Sequence, residues 1–172
     1  MERKVNGMRK IVVGGGCFWG VQEYYRRLKG VTGTRVGYAQ GYVEAPTYEQ
    51  VKAQQTGHIE VCEVEYDETI LTLLDIVKHL FRFIDPYQVD GQAHDIGSQY
   101  LSGVFVSAEE EFKLVEEYIA SLQQQSEQQI TTKVEYLQCF YDAEEYHQEY
   151  LVKNPQGYCH VDFSLIKKEE LK

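Results

Sequence analysis

No run of about 18 apolar residues occurs anywhere in this 172-residue sequence, so no segment has the makings of a membrane-spanning helix. Positive charge is scarce. The 17 Lys and Arg face 27 Asp and Glu, a net charge of −10, which argues against nucleic acid and anionic membrane surfaces as main partners. Proline is limited to Pro46, Pro86 and Pro155, each falling where the apolar patterning breaks into a loop. The four cysteines (Cys17, Cys62, Cys139, Cys159) are widely scattered and show no CxxC or paired His/Cys spacing. The basic start MERKVNGMRK is followed only by Ile11-Val12-Val13 before glycines, too short for a secretory core. A cytoplasmic protein with reduced thiols is expected, in which any disulfide is catalytic rather than structural.

Against these absences stand 43% hydrophobic and 13% aromatic residues, enough for one well-filled core and a single domain over 1–172. Arg9 to Val13 reads as a short buried strand ended by three glycines, and Phe18, Val21, Tyr24, Tyr25 and Leu28 follow helical spacing. Strand-like runs follow at Val31 to Tyr38 and Gly57 to Tyr66. Asp67 is expected to open a helix over Ile70 to Phe83. A strand at Tyr100 to Val106, an acidic-started helix at Ala108 to Gln124, a strand at Thr131 to Leu137 and a helix at Ala143 to Val152 complete the pattern. The order β-α-β-β-α-β, then α-β-α, predicts an α+β fold of the ferredoxin-like (split βαβ) kind: a mixed sheet, extra helices and a loop-rich C-terminal tail. Two long polar segments, 39–56 and 85–97, read as irregular loops, and loops of such length in a compact domain are usually functional.

The densest signal is Gly14-Gly15-Gly16-Cys17-Phe18-Trp19-Gly20 at a strand-to-helix turn. It fits neither phosphate-loop template, since GxGxxG would need glycine at Trp19 and no Gly-Lys-Ser/Thr follows. Cys17 is the better candidate, as a thiol at the first turn of a helix. The helix dipole is worth roughly 0.3–1 kcal/mol, under one pKa unit, so it leaves the thiol mostly protonated at neutral pH. A nearby cation or the substrate itself must help remove the proton. Spacing leaves two readings of Phe18 and Trp19 open: filling the core, or walling a pocket for an apolar group.

The stretch Gly16-Cys17-Phe18-Trp19-Gly20 resembles the signature of the A-class peptide methionine sulfoxide reductases. The resemblance continues in register through Arg35 to Tyr42, Pro46-Thr47-Tyr48, Thr56 to Val61, Asp85-Pro86, Asp95 to Tyr100, Tyr146-His147-Gln148 and Asn154 to Cys159. It implies thiol-dependent reduction of the S-sulfoxide of free and protein-bound methionine, an oxidative-damage repair, with no bound cofactor; no metal is expected either, since His79, His94, His147 and His160 lack ligand spacing. It assigns Cys17 as nucleophile and Glu60 as the acid that protonates the departing oxygen. Tyr48 and Tyr100 would donate hydrogen bonds to that oxygen, Phe18 and Trp19 would hold the S-methyl group, and Asp95 would line the site. It further implies that a Cys17 sulfenic acid condenses with Cys159, carried on a mobile tail, and that thioredoxin or a similar dithiol reopens the disulfide. A monomer is expected. One departure is Leu101, where many members carry Arg.

Taken singly, these residues have plainer readings: Glu60 as a solvated strand position, each tyrosine as packing, Asp95 as a turn residue, Cys62 and Cys139 as small buried hydrophobes. His58-Ile59-Glu60 fits the H-x-E of zinc deaminases, but the Pro-Cys-x-x-Cys that completes their metal site is absent. Cys17, His147 and Asn154 stand in the order of a papain-like thiol hydrolase without its cysteine signature. A non-catalytic binding module for methionine sulfoxide or peptide is the third alternative, against which the intact Cys17 and Glu60 pair argues.

Overall fold

The computed structural model describes residues 7–172; most of the basic start, on which the reading of an absent export signal rests, lies outside the described residues. The chain forms β1 (Met8–Gly14), α1 (Phe18–Arg26), β2 (Val31–Ala39), α2 (Tyr48–Lys52), β3 (Ile59–Asp67) and α3 (Leu73–Phe83). There follow β4 (Gly91–Gln92), β5 (Asp95–Ile96), β6 (Gly103–Val106), α4 (Glu109–Gln124), β7 (Lys133–Tyr136), β8 (Phe140–Asp142) and α5 (Tyr150–Lys153). Six strands make one mixed sheet in the order β7-β6-β1-β3-β2-β8, while β4 and β5 pair separately. All neighbours in the large sheet are antiparallel except β6 and β7.

Strand alternation decides what lies on each face. Ile11 and Val13 of β1 and Cys62, Val64 and Tyr66 of β3 join the main core with α1 and α3. Val12, Ile59, Val61 and Phe105 form a smaller cluster on the other face. Tyrosine is usable in this core because its hydroxyl finds a partner. Tyr24 and Tyr25 are fully buried, and their hydroxyls meet His79 Nδ1 and the Ile76 carbonyl at 2.7 Å, locking α1 to α3.

Four local expectations are corrected. Asp67 does not open a helix: its carboxylate accepts from the Thr69 amide at 2.9 Å, and α3 starts later under a capping box. There Thr72 Oγ1 accepts from the Asp75 amide at 3.1 Å and Asp75 Oδ2 from the Thr72 amide at 2.9 Å. The loop 39–56 contains α2, begun by a second capping box between Thr47 and Gln50. The strand expected from Tyr100 begins only at Gly103, because 98–100 curl into a 3₁₀ turn. The helix expected over Ala143 to Val152 is reduced to a 3₁₀ turn and the short α5, divided by left-handed Glu149 at φ 52°. The Gln148 side chain causes that break: its Oε1 accepts from the Val36 amide at 3.0 Å and its Nε2 donates to the Val36 carbonyl at 2.9 Å. This holds the segment against the sheet edge, where β8 extends β2.

Residues 154–172 pack onto the domain through buried Val161 and Ile166 and through Arg82, which donates to both Glu170 oxygens at 2.7 and 2.9 Å. No helix among the described residues is long and apolar enough to cross a membrane.

Candidate active site

The antiparallel pairing of β1 with β3 sets Val13 opposite Cys62, so the end of β1 and the start of β3 share one edge of the core. Beyond β1 the glycines turn the chain into α1, with Gly16 left-handed at φ 89°, and Cys17 takes the N-cap position, 9% exposed. Glu60 stands at the start of β3 on the same alternation as Cys62, Val64 and Tyr66, which turns it into the core; it is 2% exposed. The plainer reading of Glu60 as a solvated strand position is therefore set aside, and the period-two pattern explains why. The amide of Phe18 donates to Glu60 Oε1 at 3.1 Å, tying the acid to the residue that follows the thiol.

Burial raises the Glu60 carboxyl to about 8; the Phe18 amide opposes this and the Asp95 charge adds to it. Burial, then the nearby Glu60 carboxyl, push the Cys17 thiol well above its ordinary range, with only the Trp19 amide pulling it down. Of the two routes open for removing the thiol proton, this surrounding favours help from the substrate over a resident cation.

Tyr48 begins α2 and Tyr100 ends the 3₁₀ turn before β6. Burial, then Glu60, raise the Tyr48 hydroxyl to about 12, and the same two causes raise Tyr100. Both remain protonated donors at neutral pH. Glu144 fixes this wall: its Oε1 accepts from the Tyr38 hydroxyl at 2.8 Å and its Oε2 from the Tyr48 amide at 3.0 Å. Phe18 is fully buried beside Tyr38 and His147, with centroids at 5.7 and 5.2 Å. Trp19 is only partly buried, stacks on Tyr150 at 3.7 Å and donates from its indole nitrogen to His147 Nδ1 at 3.0 Å.

Asp95 lies on β5, where its Oδ2 accepts from the Tyr158 hydroxyl at 2.9 Å. Cys159 is half-buried, and its Sγ accepts from the Val161 amide at 3.3 Å. All four cysteines are free thiols. Cys62 is wholly buried in β3, whereas Cys139 is partly exposed between β7 and β8 rather than within a strand. Both ring nitrogens of His58 are engaged, Nδ1 accepting from the Gly41 amide at 3.1 Å and Nε2 lying 2.7 Å from the Val43 carbonyl. Among the described residues no group of three or more His, Cys, Asp or Glu is placed to hold a metal ion.

The sequence reading missed Glu144 and Tyr150 as neighbours of the site, because they come from distant segments and carry no local pattern of their own; Tyr158 stood in the Asn154 to Cys159 stretch but was given no role. The acidic residue behind two tyrosines became visible only when β8 placed it against β2.

A buried thiol tied through its neighbour's amide to a buried, neutral carboxyl, on a mixed sheet backed by helices, defines a cysteine-dependent enzyme. The family model described as peptide methionine sulfoxide reductase matches residues 9–172. The chain is 46% identical over 158 residues to the peptide methionine sulfoxide reductase MsrA of Alkaliphilus metalliredigens (strain QYMF), covering 92% of this chain and all of that protein. Its fold is similar to Mxr1 from Saccharomyces cerevisiae in reduced form, with a TM-score of 0.83, 34% identity and 92% of each chain covered. The same yeast protein in complex with Trx2 matches with a TM-score of 0.59 and 25% identity over 87% of this chain and 89% of that one. The chain belongs to the peptide methionine sulfoxide reductase family, and it is an oxidoreductase.

Proposed function

We propose that this chain reduces the S-sulfoxide of methionine, free and within proteins, using Cys17 as nucleophile and Glu60 as acid. The observation that carries this reading is the Phe18 amide bond to Glu60 Oε1 at 3.1 Å, which holds a neutral carboxyl beside the thiol. One carboxyl oxygen is occupied by the amide, which leaves the other to bear the proton. Sulfoxide oxygen departs poorly as an oxide, so proton donation to it is needed as sulfur is attacked. Tyr48 and Tyr100 donate to the same oxygen, and Phe18 and Trp19 bound the space for the S-methyl group. Protonating the oxygen makes the sulfur electrophilic enough to draw in a thiol that burial otherwise keeps neutral.

In the first step the sulfoxide gains two electrons and becomes a thioether, while Cys17 becomes a sulfenic acid carrying the oxygen. The Cys159 thiol then condenses with it to a disulfide and water, and an external dithiol reduces that disulfide. The yeast relative's complex with Trx2 supports thioredoxin as the dithiol. The residues ask for no prosthetic group: both electrons come from thiols. Asp95 is read as lining the site. The thiol-hydrolase alternative requires a His147 base, yet its Nδ1 already accepts from the Trp19 indole.

We also read 1–172 as one domain whose inner strands β6-β1-β3-β2, with α1 and α3, make a ferredoxin-like plait. We read the protein as a cytoplasmic monomer, in keeping with four free thiols. The test is a single turnover on racemic methionine sulfoxide without reductant. About one methionine from the S epimer, two thiols lost and a mapped Cys17–Cys159 bond are expected, following one two-electron step per enzyme. Intact thiols with no methionine would overturn the reading.

A further inference from the structure

The two glycines that flank the thiol in Gly16-Cys17-Phe18-Trp19-Gly20 are seats for the C-terminal segment. A methyl group on Gly16 would lie 2.8 Å from His160 Nε2, and one on Gly20 would lie 2.9 Å from Cys159 Sγ and 2.8 Å from Val161 Cγ2. Residues 158–161 therefore lie against the turn that carries Cys17, with Cys159 lodged one helical turn beyond it.

Two side chains fasten this segment, one on each side of Cys159. The Tyr158 hydroxyl donates to Asp95 Oδ2 at 2.9 Å. His160 Nε2 lies 2.7 Å from the Gly15 carbonyl, and its side chain is 2% exposed. A carbonyl only accepts, so Nε2 must carry the imidazole proton. Nδ1 is then a bare lone pair without a hydrogen-bond partner, 4.0 Å from Asp95 Oδ2. The imidazole thus spends its one N–H on the main chain two residues before the nucleophile. A buried hydrogen bond of this kind constrains both the distance and the direction of its carrier relative to the main chain.

We infer that His160 is the positioning residue of the second step: its bond to the Gly15 carbonyl holds the adjoining Cys159 in register for attack on the Cys17 sulfenic acid. This rests on the reading of Cys17 and Cys159 given above. In the step concerned, the Cys159 sulfur bonds to the Cys17 sulfur, the S–OH bond breaks, and the hydroxyl leaves as water with the thiol proton. No further oxidant or reductant enters. His160 has no part in the first step, since it contacts the backbone carbonyl and not the thiol or the acid.

The experiment is quench-flow single turnover on methionine sulfoxide without reductant, following methionine release, thiol loss and dimedone-trapped sulfenic acid separately. In His160→Ala, methionine release keeps its native rate, disulfide formation slows roughly five- to tenfold as one hydrogen bond is lost, and sulfenic acid accumulates. His160→Gln, whose amide nitrogen can reach the carbonyl, restores disulfide formation. His160→Asn, polar but too short, stays as slow as the alanine variant, which keeps the test open should alanine fold poorly. Native disulfide rates in both the Ala and Asn variants overturn the inference, as does an equal loss of methionine release. Failure of the underlying reading is distinct: the native enzyme would then release no methionine, or Cys17→Ser would still release it.

Discussion

The Phe18 amide donates to Glu60 Oε1 at 3.1 Å across 42 positions of sequence, and this one bond joins the helix that carries the thiol to the strand that carries the acid. It gives the acid a partner without ionising it. One amide satisfies part of the carboxyl, but burial outweighs it and leaves the group near 8.

Replacing the acid should therefore separate activity from stability. The folded carboxyl titrates near 8 against an ordinary 4.5, so the folded state binds the extra proton between those values and loses stability as pH rises through that window. Glu60→Gln should abolish methionine release yet stabilise the protein by on the order of 3 kcal/mol at pH 7, and by almost nothing at pH 4. Denaturant melts of both proteins across that range check the sign. A gap that shrinks as pH rises would contradict a buried neutral carboxyl.

The pH dependence of the first step follows from the same group. Methionine release in single turnover should decline as pH passes about 8 and Glu60 loses its proton. A rate that climbs through pH 9 would instead mark thiol ionisation as controlling.

Cys17→Ser should release no methionine above background, because a hydroxyl is a far weaker nucleophile toward sulfur. Cys159→Ser should release one methionine at the native rate and then stop with thioredoxin as reductant. A full steady-state rate in that variant would remove Cys159 as the resolving thiol.

The two tyrosines should act by degree. Tyr48→Phe and Tyr100→Phe each remove one donor to the sulfoxide oxygen and should slow the first step roughly 10- to 100-fold. Both side chains are only half-buried and neither hydroxyl has a hydrogen-bond partner among the described residues, so thermal stability should scarcely move. A large loss of melting temperature with native kinetics would return them to packing.

Gly16→Ala should weaken the fold. The residue sits at φ 89°, and the added methyl would meet Gln92 Cβ and His160 Nε2 at 2.8 Å. Strain of this kind costs about 1–3 kcal/mol, readable as a lower denaturation midpoint.

Local patterning announced most of the regular elements. The alternation of β3, the helical spacing of α1 and the acidic first turn of α4 were all readable, because each depends on neighbours within a few residues. The capping boxes at Thr47 and Thr72 are legible too, as T-x-x-Q and T-x-x-D, but the polar composition of 39–56 masks the first and Asp67 offers an earlier helix start than the second. Gln148 could not be read: nothing near it in sequence says that its amide will replace a ladder bond to Val36 and end a helix.

The sequence by itself determined the chemistry available at the turn: one thiol between glycines, two aromatics after it, and a carboxylate on the apolar alternation of a strand. Only the tertiary structure decided the state of those groups. Glu60 is neutral because β3 is buried on both sides of it, Glu144 reaches Tyr38 and Tyr48 because β8 pairs with β2, and Cys159 nears α1 because Gly20 has no side chain. Desolvation and approach depend on which distant segments meet, and that is settled by packing rather than by local pattern.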